Sequence, residues 1–279
     1  MRSPKEEKLK NTLDAIPPGF MVDSTWLERH GVSRFLARKY VDNGWLERLA
    51  RGVFRRPAPS ANRSSPIDWK RAVLSLQHIM DYPVHVGSTT ALALQGYTHY
   101  LPLGGNAPVW LYGTDIPNWL GKLPLDTRLE TRTTKLFSDA NIGFTGETEE
   151  GVQSQRTALP WDWALRMSTP ERAILEALDE LPEHESFHNV DMIFEGLTTL
   201  RPKLLSALLA NCKKIKVTRL FFVFADRHAH AWRKRLDPEE FNLGSGDRAL
   251  VKGGRIHPSY RIMVPEEFTR TRTEDSDGA

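Results

Sequence analysis

The chain of 279 residues is 40% hydrophobic and 26% charged, which excludes a disordered or fibrous protein, and its length predicts two folded cores. No apolar run approaches the roughly 18 residues of a membrane span, and the charged first residues do not resemble a signal peptide, so we expect a cytoplasmic protein. The net charge of +3 hides an asymmetry, because residues 1–60 hold 12 Lys and Arg against 7 Asp and Glu while the remainder holds 26 against 28, and such a basic front is typical of a module that faces a polyanion.

The front of the chain predicts two short helices before anything else. Leu9, Leu13 and Ile16 recur at the spacing of one helix face, and a pair of prolines follows at once. Ser24 is the expected N-cap of a second short helix, and Gly31 is expected to close it.

A third helix is predicted from Arg34 to Asn43, with Ser33 as its N-cap and Gly44 as its stop signal. Projection at helical spacing places its apolar residues on one arc and its basic residues on the other. The basic arc carries Arg34, Arg38 and Lys39. Phe35 falls on this polar arc, where we expect it to pack on the first helix in preference to contacting a thymine methyl group.

Two extended runs follow the third helix, Trp45–Ala50 and Val53–Arg56, and Gly52 supplies the turn between them. Three short helices followed by a hairpin form a winged helix-turn-helix. We therefore predict an α+β protein in which residues 1–57 form a winged helix-turn-helix DNA-binding domain joined to a larger mixed α/β C-terminal domain.

The run 58–65 is rich in Pro, Ser and Asn without apolar periodicity, which predicts a linker. The C-terminal domain then spans 66–268, and the polar run 269–279 predicts a disordered tail. The domain is expected to open with a helix, Pro66–Met80, and to contain the strands 84–86, 109–112 and 129–133.

Later helices follow from apolar spacing. The clearest is 167–178, in which Ser168 and Glu171 have the spacing of a capping box, and Ser88 is expected to cap a small helix that reaches Gln95. Further helices are expected over 190–200 and 202–210. The spacing of Val217 to Phe224 fits a helix, although its β-rich composition leaves a strand open.

The stretch from position 29 to position 56 contains eight basic residues but only two acidic ones, Asp42 and Glu47. Arginines on the first turns of the third helix would fit the roughly 12 Å major groove, and those of the hairpin would contact phosphates. The alternative is that these arginines only solvate the outer face of a small domain, and we favour DNA binding because the charge coincides with the winged-helix plan.

No catalytic, metal or cofactor site is predicted. The run 85–89 suggests the Gly-Ser loop of a nucleotidyltransferase, but no Asp-x-Asp pair follows to hold Mg²⁺, and a turn before a helix explains the same residues. The single cysteine, Cys212, excludes an internal disulfide. His228 and His230 are expected on a solvated helix face.

Several blocks of the sequence are similar to one known family. Gly31-Val-Ser, Leu36–Tyr40 and Gly44–Arg56 resemble the N-terminal winged-helix domain of the AbiEi abortive-infection antitoxins of bacterial type IV toxin-antitoxin systems, and the blocks Ser88–Gly96, Ser168–Glu176 and 243–265 resemble the C-terminal antitoxin domain.

This resemblance implies an antitoxin that represses its own operon by binding inverted repeats in double-stranded promoter DNA, as a monomer or weak dimer that pairs on the DNA. It also implies that the C-terminal domain counters a cognate nucleotidyltransferase-like toxin, with or without direct contact, and that this chain performs no catalysis. The residues implied to face DNA are Ser33, Arg34, Arg38, Lys39, Arg48, Arg51, Arg55 and Arg56.

Two other functions stay open from the residues alone. One is a transcriptional regulator whose second domain senses a small ligand. The other is a nuclease or nucleotidyltransferase guided to DNA by the winged helix, against which the lack of clustered carboxylates argues.

Overall fold

The computed structural model describes residues 4–58, 66–97, 107–145 and 163–269. These residues form two compact units, the first drawn from 1–85, 106–132 and 146–166 and the second from 86–105, 133–145 and 167–279. The mixture of helices and small sheets confirms the predicted α+β class. Apart from Ala58 and Thr269, the predicted linker and tail lie outside the described residues, and the division at 58–65 stays a prediction.

The first unit begins with three helices and a small antiparallel sheet of order β1-β3-β2. Its elements in chain order are α1 (Pro4–Asp14), β1 (Met21–Asp23), α2 (Ser24–Arg29), α3 (Arg34–Asp42), β2 (Glu47–Ala50) and β3 (Val53–Arg55). The predicted hairpin is therefore the outer part of a three-stranded sheet. Strand β1 has no signal in the sequence because all three of its residues are buried, which removes the alternation that identifies a half-exposed strand.

Asp23, and not Ser24, caps α2. The Trp26 backbone N–H donates to Asp23 Oδ1 at 2.7 Å, whereas the Ser24 hydroxyl donates to the Gly52 carbonyl at 3.2 Å. Ser24 thereby links α2 to the turn between β2 and β3, where Gly52 has a φ of +78° that suits glycine.

The second oxygen of Asp23 accepts a hydrogen bond of 2.6 Å from the Tyr82 hydroxyl, and the aspartate is only 3% exposed. Burial raises the pKa of Tyr82, and the hydrogen bond to Asp23 raises it further. Near this contact, the Met21 backbone N–H donates a hydrogen bond of 3.1 Å to Ser75 Oγ. Residues 66–85 thus pack against β1 within the first unit.

The predicted helix from Pro66 to Met80 is shorter and changes type. Asp68 caps α4 (Trp69–Leu74), which continues as a π-helical turn, Ser75–Ile79. The expectation that Pro66 opens the helix was wrong, because the Ile67 N–H donates to Pro124 O at 2.8 Å as part of a bridge to Leu125.

The other sheet has the order β4-β5-β6, with β4 (Val84–Val86), β5 (Val109–Gly113) and β6 (Leu129–Thr133). These bounds confirm the three predicted strands, with β5 one residue longer. A short 3₁₀ helix, Leu120–Lys122, lies between the last two strands.

The second unit is mainly helical and ends in a two-stranded sheet. Its helices and strands are α5 (Ser88–Leu94), α6 (Pro170–Asp179), α7 (Phe187–Gly196), α8 (Pro202–Asn211), α9 (Ile215–His228), β7 (Arg255–Ile256) and β8 (Met263–Val264), with short 3₁₀ helices at Ala231–Arg235, Pro238–Glu240 and Glu266–Phe268. The predicted helices are confirmed, and α9 shows that the ambiguous run around Val217 is helical. Both α6 and α9 have continuous runs of buried residues.

The predicted capping box at the start of α6 was wrong. Thr169 is the N-cap residue, and no side-chain hydrogen bond caps the helix. Glu171 instead accepts hydrogen bonds of 2.9–3.0 Å from the backbone N–H and guanidinium of Arg201. Burial alone would raise the pKa of Glu171, but these hydrogen bonds outweigh it and hold the pKa below its ordinary value. The carboxylate therefore pairs with Arg201, the residue before α8.

A buried ion pair forms the polar centre of the second unit. Arg172 and Glu176 are each 1% exposed and lie 2.9 Å apart. The Ser168 hydroxyl and the Ser88 backbone N–H also donate to Glu176, at 2.8 and 3.0 Å. Because Ser88 has a φ of +51° and donates from its backbone, it does not cap α5 as expected; Gly87 stands at that position.

The guanidinium of Arg172 is satisfied on its other side by the carbonyls of Ala140 and Ile142, at 3.0 and 2.6 Å, and lies over the rings of Phe137 and Phe144. A buried charge is tolerated only when it is paired and fully hydrogen-bonded. This arrangement therefore ties the segment around residue 140 to α6.

His228 and His230 do not lie on a solvated face, as their spacing suggested. The His228 side chain is 3% exposed and hydrogen-bonds Asp191 at 2.7 Å, and His230 hydrogen-bonds the Phe194 carbonyl at 2.8 Å. Burial alone would raise the pKa of Asp191, but the interactions with His228 and Arg227 outweigh it and lower that pKa. These histidines therefore connect the C-terminal end of α9 to α7.

Asp23→Ala should lower the free energy of unfolding by about 2–3 kcal/mol, because it removes a helix cap and leaves the Tyr82 hydroxyl without its acceptor. Urea unfolding followed by circular dichroism measures the change. The matched control is Asp42→Ala on the exposed end of α3, which should change stability by less than about 0.5 kcal/mol. Equal stability of the two variants would show that Asp23 has no such role.

Glu176→Gln should destabilise the protein by about 3–5 kcal/mol, because Arg172 would keep a buried charge without its counter-ion. The control is Glu266→Gln, whose carboxylate is 63% exposed and pairs with an equally exposed Arg255. That exposed pair should contribute less than about 1 kcal/mol. Thermal unfolding that gives the same melting temperature for both variants would contradict the central role of the buried pair.

Candidate nucleic-acid interface

Helix α3 is amphipathic, and its exposed face carries most of its charge. The Ser33 hydroxyl caps it by accepting from the Leu36 N–H at 3.3 Å, and Ala37 and Tyr40 are buried beneath it. The helix ends at Asp42 because Gly44, with a φ of +73°, reverses the chain. Its exposed residues are Arg34, Phe35, Arg38, Lys39 and Asp42.

A groove with a volume of about 830 Å³ lies between α3 and the β2-β3 hairpin. Its apolar floor is formed by Leu27, Val32, Ala37, Val41 and Phe54. Four arginines line it, Arg34 and Arg38 from α3 and Arg48 and Arg51 from the hairpin, and the acidic residues on its wall are Glu28 and Asp42. The helix and the hairpin thus turn their positive charge toward one concave surface.

The cations of this groove are available to an external partner. All four arginine side chains are exposed, and among the described residues no carboxylate pairs with Arg38 or Arg51. Arg34 pairs with Glu28 at 3.1 Å, but the two side chains are 87% and 49% exposed. Such a surface ion pair contributes only about 0–1 kcal/mol, so a phosphate or a base edge can displace it.

Arg55 and Arg56, expected among the DNA-facing residues, are turned inward. Arg55 is 8% exposed and donates two hydrogen bonds to Glu47, at 2.7 and 3.2 Å, across the β2-β3 pair. Arg56 donates to the carbonyls of Leu13, in the last turn of α1, and of Ile16, just after the helix. These two guanidinium groups hold the hairpin and α1 in place.

Phe35 does not pack on the first helix, contrary to expectation. Its side chain is 70% exposed, and the Lys39 ammonium lies 4.7 Å from the centre of its ring. The position of Phe35 on the polar arc of α3 is the signal in the sequence for this exposure.

Glu28 lies outside the basic stretch but contributes a carboxylate to the groove, and the sequence pattern did not predict this position. The spacing of residues along the chain does not show which carboxylate reaches which arginine. Ser33, Arg34, Arg38, Lys39, Arg48 and Arg51 are the predicted DNA-facing residues that the structure places on the exposed surfaces of α3 and the hairpin.

The Gly87–Ser88 turn offers no reacting group at the surface, because Ser88 is 1% exposed and its N–H donates to Glu176. In the part of the chain that the structure describes, no three His, Cys, Asp or Glu side chains are grouped as a metal site requires. Within the same ranges, no helix combines the length and apolar character needed to cross a membrane.

Comparison with known proteins gives two family matches, in chain order. The model described as "Transcriptional regulator, AbiEi antitoxin N-terminal domain" matches residues 5–103, and that described as "Transcriptional regulator, AbiEi antitoxin, Type IV TA system" matches residues 106–265. The crystal structure of the RV2827C protein from Mycobacterium tuberculosis is similar with a TM-score of 0.56 and 14% identity, covering 94% of this chain and 92% of that one, and this likeness concerns the fold. No curated protein sequence matches the chain.

Proposed function

The chain belongs to the AbiEi family of antitoxins and transcriptional regulators of type IV toxin-antitoxin systems, and from this premise we propose that it represses its own operon by binding promoter DNA with α3 and the β2-β3 hairpin. The observation that carries the proposal is the groove into which Arg34, Arg38, Arg48 and Arg51 are directed from two different elements. Its walls come from a helix and a hairpin. These are the two elements, recognition helix and wing, with which a winged helix contacts a duplex.

In this proposal α3 enters the major groove. The N-terminal residues of a recognition helix contact base edges, and an arginine fork pairs with the O6 and N7 atoms of guanine. Arg38 has no competing carboxylate among the described residues, and Arg34 exchanges its exposed partner Glu28 for DNA. These two arginines therefore read sequence, while Ser33 and Lys39 contact the adjacent backbone.

The hairpin acts as the wing. Arg51 occupies its turn and Arg48 its first strand, and both are exposed. They contact phosphates, which increases affinity for every sequence and makes binding weaken with salt. Arg55 and Arg56 are left out of this proposed contact set because their guanidinium groups are occupied inside the unit.

An inverted repeat presents two equivalent half-sites, so its recognition needs two copies of α3. We propose that the chain is a monomer or weak dimer that pairs on DNA. Half-sites about one helical turn apart, 10–10.5 base pairs between centres, or a multiple of it, suit this arrangement.

The second part of the proposed function is neutralisation of a nucleotidyltransferase-like toxin through the C-terminal domain. Its support is the family description over residues 106–265. The chain itself has no catalytic role in this proposal, and its effect on the toxin is exerted as a binding or regulatory protein.

Arg38→Ala should weaken binding to the DNA upstream of its own operon by about 1–3 kcal/mol and relax the preference for that DNA, because one bidentate base contact is lost. Arg51→Ala should weaken binding to all DNA sequences alike and reduce the slope of log K against log salt by about 1. Fluorescence anisotropy at several salt concentrations, with the upstream duplex and a scrambled duplex, measures both effects.

The matched control is Arg255→Ala, since that arginine is 64% exposed and lies in the second unit; its binding should equal that of the wild type. If Arg38→Ala, like Arg51→Ala, loses as much affinity for the scrambled duplex as for the upstream duplex, α3 is not the recognition helix. If neither loses affinity, the groove is not the DNA-binding surface.

A double variant, Arg38→Ala with Arg51→Ala, should lose promoter binding yet still protect cells from the toxin encoded in the same operon. The reason is that both arginines lie in the first unit, whereas neutralisation is assigned to the C-terminal domain. Growth of cells that express toxin and antitoxin from unrelated promoters measures protection, with wild-type antitoxin and an empty vector as references. Loss of protection in the double variant, at equal protein level, would contradict the separation of the two roles.

A further inference from the structure

The side chain of Phe35 is the most exposed of the large hydrophobic residues in the described ranges, at 70%. The next, Trp45, is 41% exposed and its ring contacts Tyr40. A single exposed aromatic residue has no meaning by itself. The position of Phe35 and the charges around it are the observations that point to a role.

Phe35 is the second residue of α3; it follows Arg34, and Ser33 is the N-cap of the helix. In a helix-turn-helix this first turn is the part that meets base edges. Residues three apart share a helix face, so Phe35 projects beside Arg38 and on the same side as it. If α3 lies in the major groove, the ring lies there too.

Lys39, one turn further along, holds the ring at the surface. Its ammonium is 4.7 Å from the ring centre, a distance at which a cation is attracted to the face of an aromatic ring. The pair leaves most of the ring in solvent and places positive charge next to it. The surroundings of the ring are therefore cationic, formed by Arg34, Arg38 and Lys39, and this charge favours a polyanion over the apolar surface of a protein partner.

We propose that Phe35 contacts the C5-methyl group of a thymine in the major groove and so selects thymine at that position of the binding site. The thymine methyl is the apolar group that base edges display in this groove, and phenylalanine is among the side chains that contact it. The contact removes the exposed ring from water only when the duplex is bound. This inference rests on the DNA binding proposed above and adds a specificity-determining residue to it.

The experiment uses the full chain and two duplexes of the region upstream of its operon, one natural and one synthesised with deoxyuridine in place of thymine. Wild-type protein should bind the deoxyuridine duplex about fourfold more weakly for each methyl group contacted. Phe35→Ala should bind the natural duplex about tenfold more weakly than wild type and should not distinguish the two duplexes. Phe35→Leu, which keeps an apolar side chain, should retain part of the preference.

Two controls separate this contact from general effects. Arg51→Ala should weaken binding to both duplexes while keeping their ratio, because its phosphate contact does not depend on the methyl group. Leu94→Ala, a change of an exposed apolar residue in the second unit, should leave both affinities unchanged. The melting temperature of Phe35→Ala should equal that of the wild type, because the ring makes few contacts in the folded protein.

An unchanged ratio between the duplexes in Phe35→Ala overturns the inference, and so does a wild-type protein that does not distinguish them. Either result is compatible with DNA binding through the arginines, provided that both duplexes bind in a salt-dependent way. A wild-type protein that binds neither duplex overturns the proposed function and this inference together. If Phe35→Ala changes only self-association in sedimentation experiments, the ring belongs to a contact between copies of the chain and the inference is wrong.

Discussion

The arrangement of α3 against the hairpin depends on one buried carboxylate, that of Asp23. One of its oxygens caps α2 and the other receives the Tyr82 hydroxyl, so the aspartate joins the helices to the segment after residue 66. The strand that carries it, β1, pairs with β3 and thereby fixes the hairpin beside the helices. Because a buried carboxylate must satisfy its acceptors, this geometry leaves Asp23 little freedom.

Arginines of the winged helix divide into two groups by their environment. Arg55 and Arg56 reach partners within the unit, where a carboxylate and helix-terminal carbonyls compensate for the loss of water. Arg34, Arg38, Arg48 and Arg51 stay exposed on the groove. The inward arginines stabilise the hairpin against the rest of the unit. The four exposed arginines supply the positive charge of the groove.

In the second unit, the block from Ser168 to Glu176 that resembles the antitoxin family has an internal role. Ser168 and Arg172 both bond Glu176, and Glu171 bonds Arg201. These side chains connect α6 to α5, to α8 and to the segment near residue 140. The residues that carry the family likeness here therefore stabilise the fold.

The sequence by itself determined the elements whose signals are local. Ser33 and Gly44 delimit α3, and Gly52 forms the hairpin turn, because capping and turn rules act over a few residues. Tertiary structure alone decided that Arg56 is turned inward, since the carbonyls of Leu13 and Ile16 that it contacts lie 43 and 40 positions away along the chain. It also decided the strand β1 and the role of Asp23, because pairing with β3 and the approach of Tyr82 are contacts between residues about 30 and 60 positions apart.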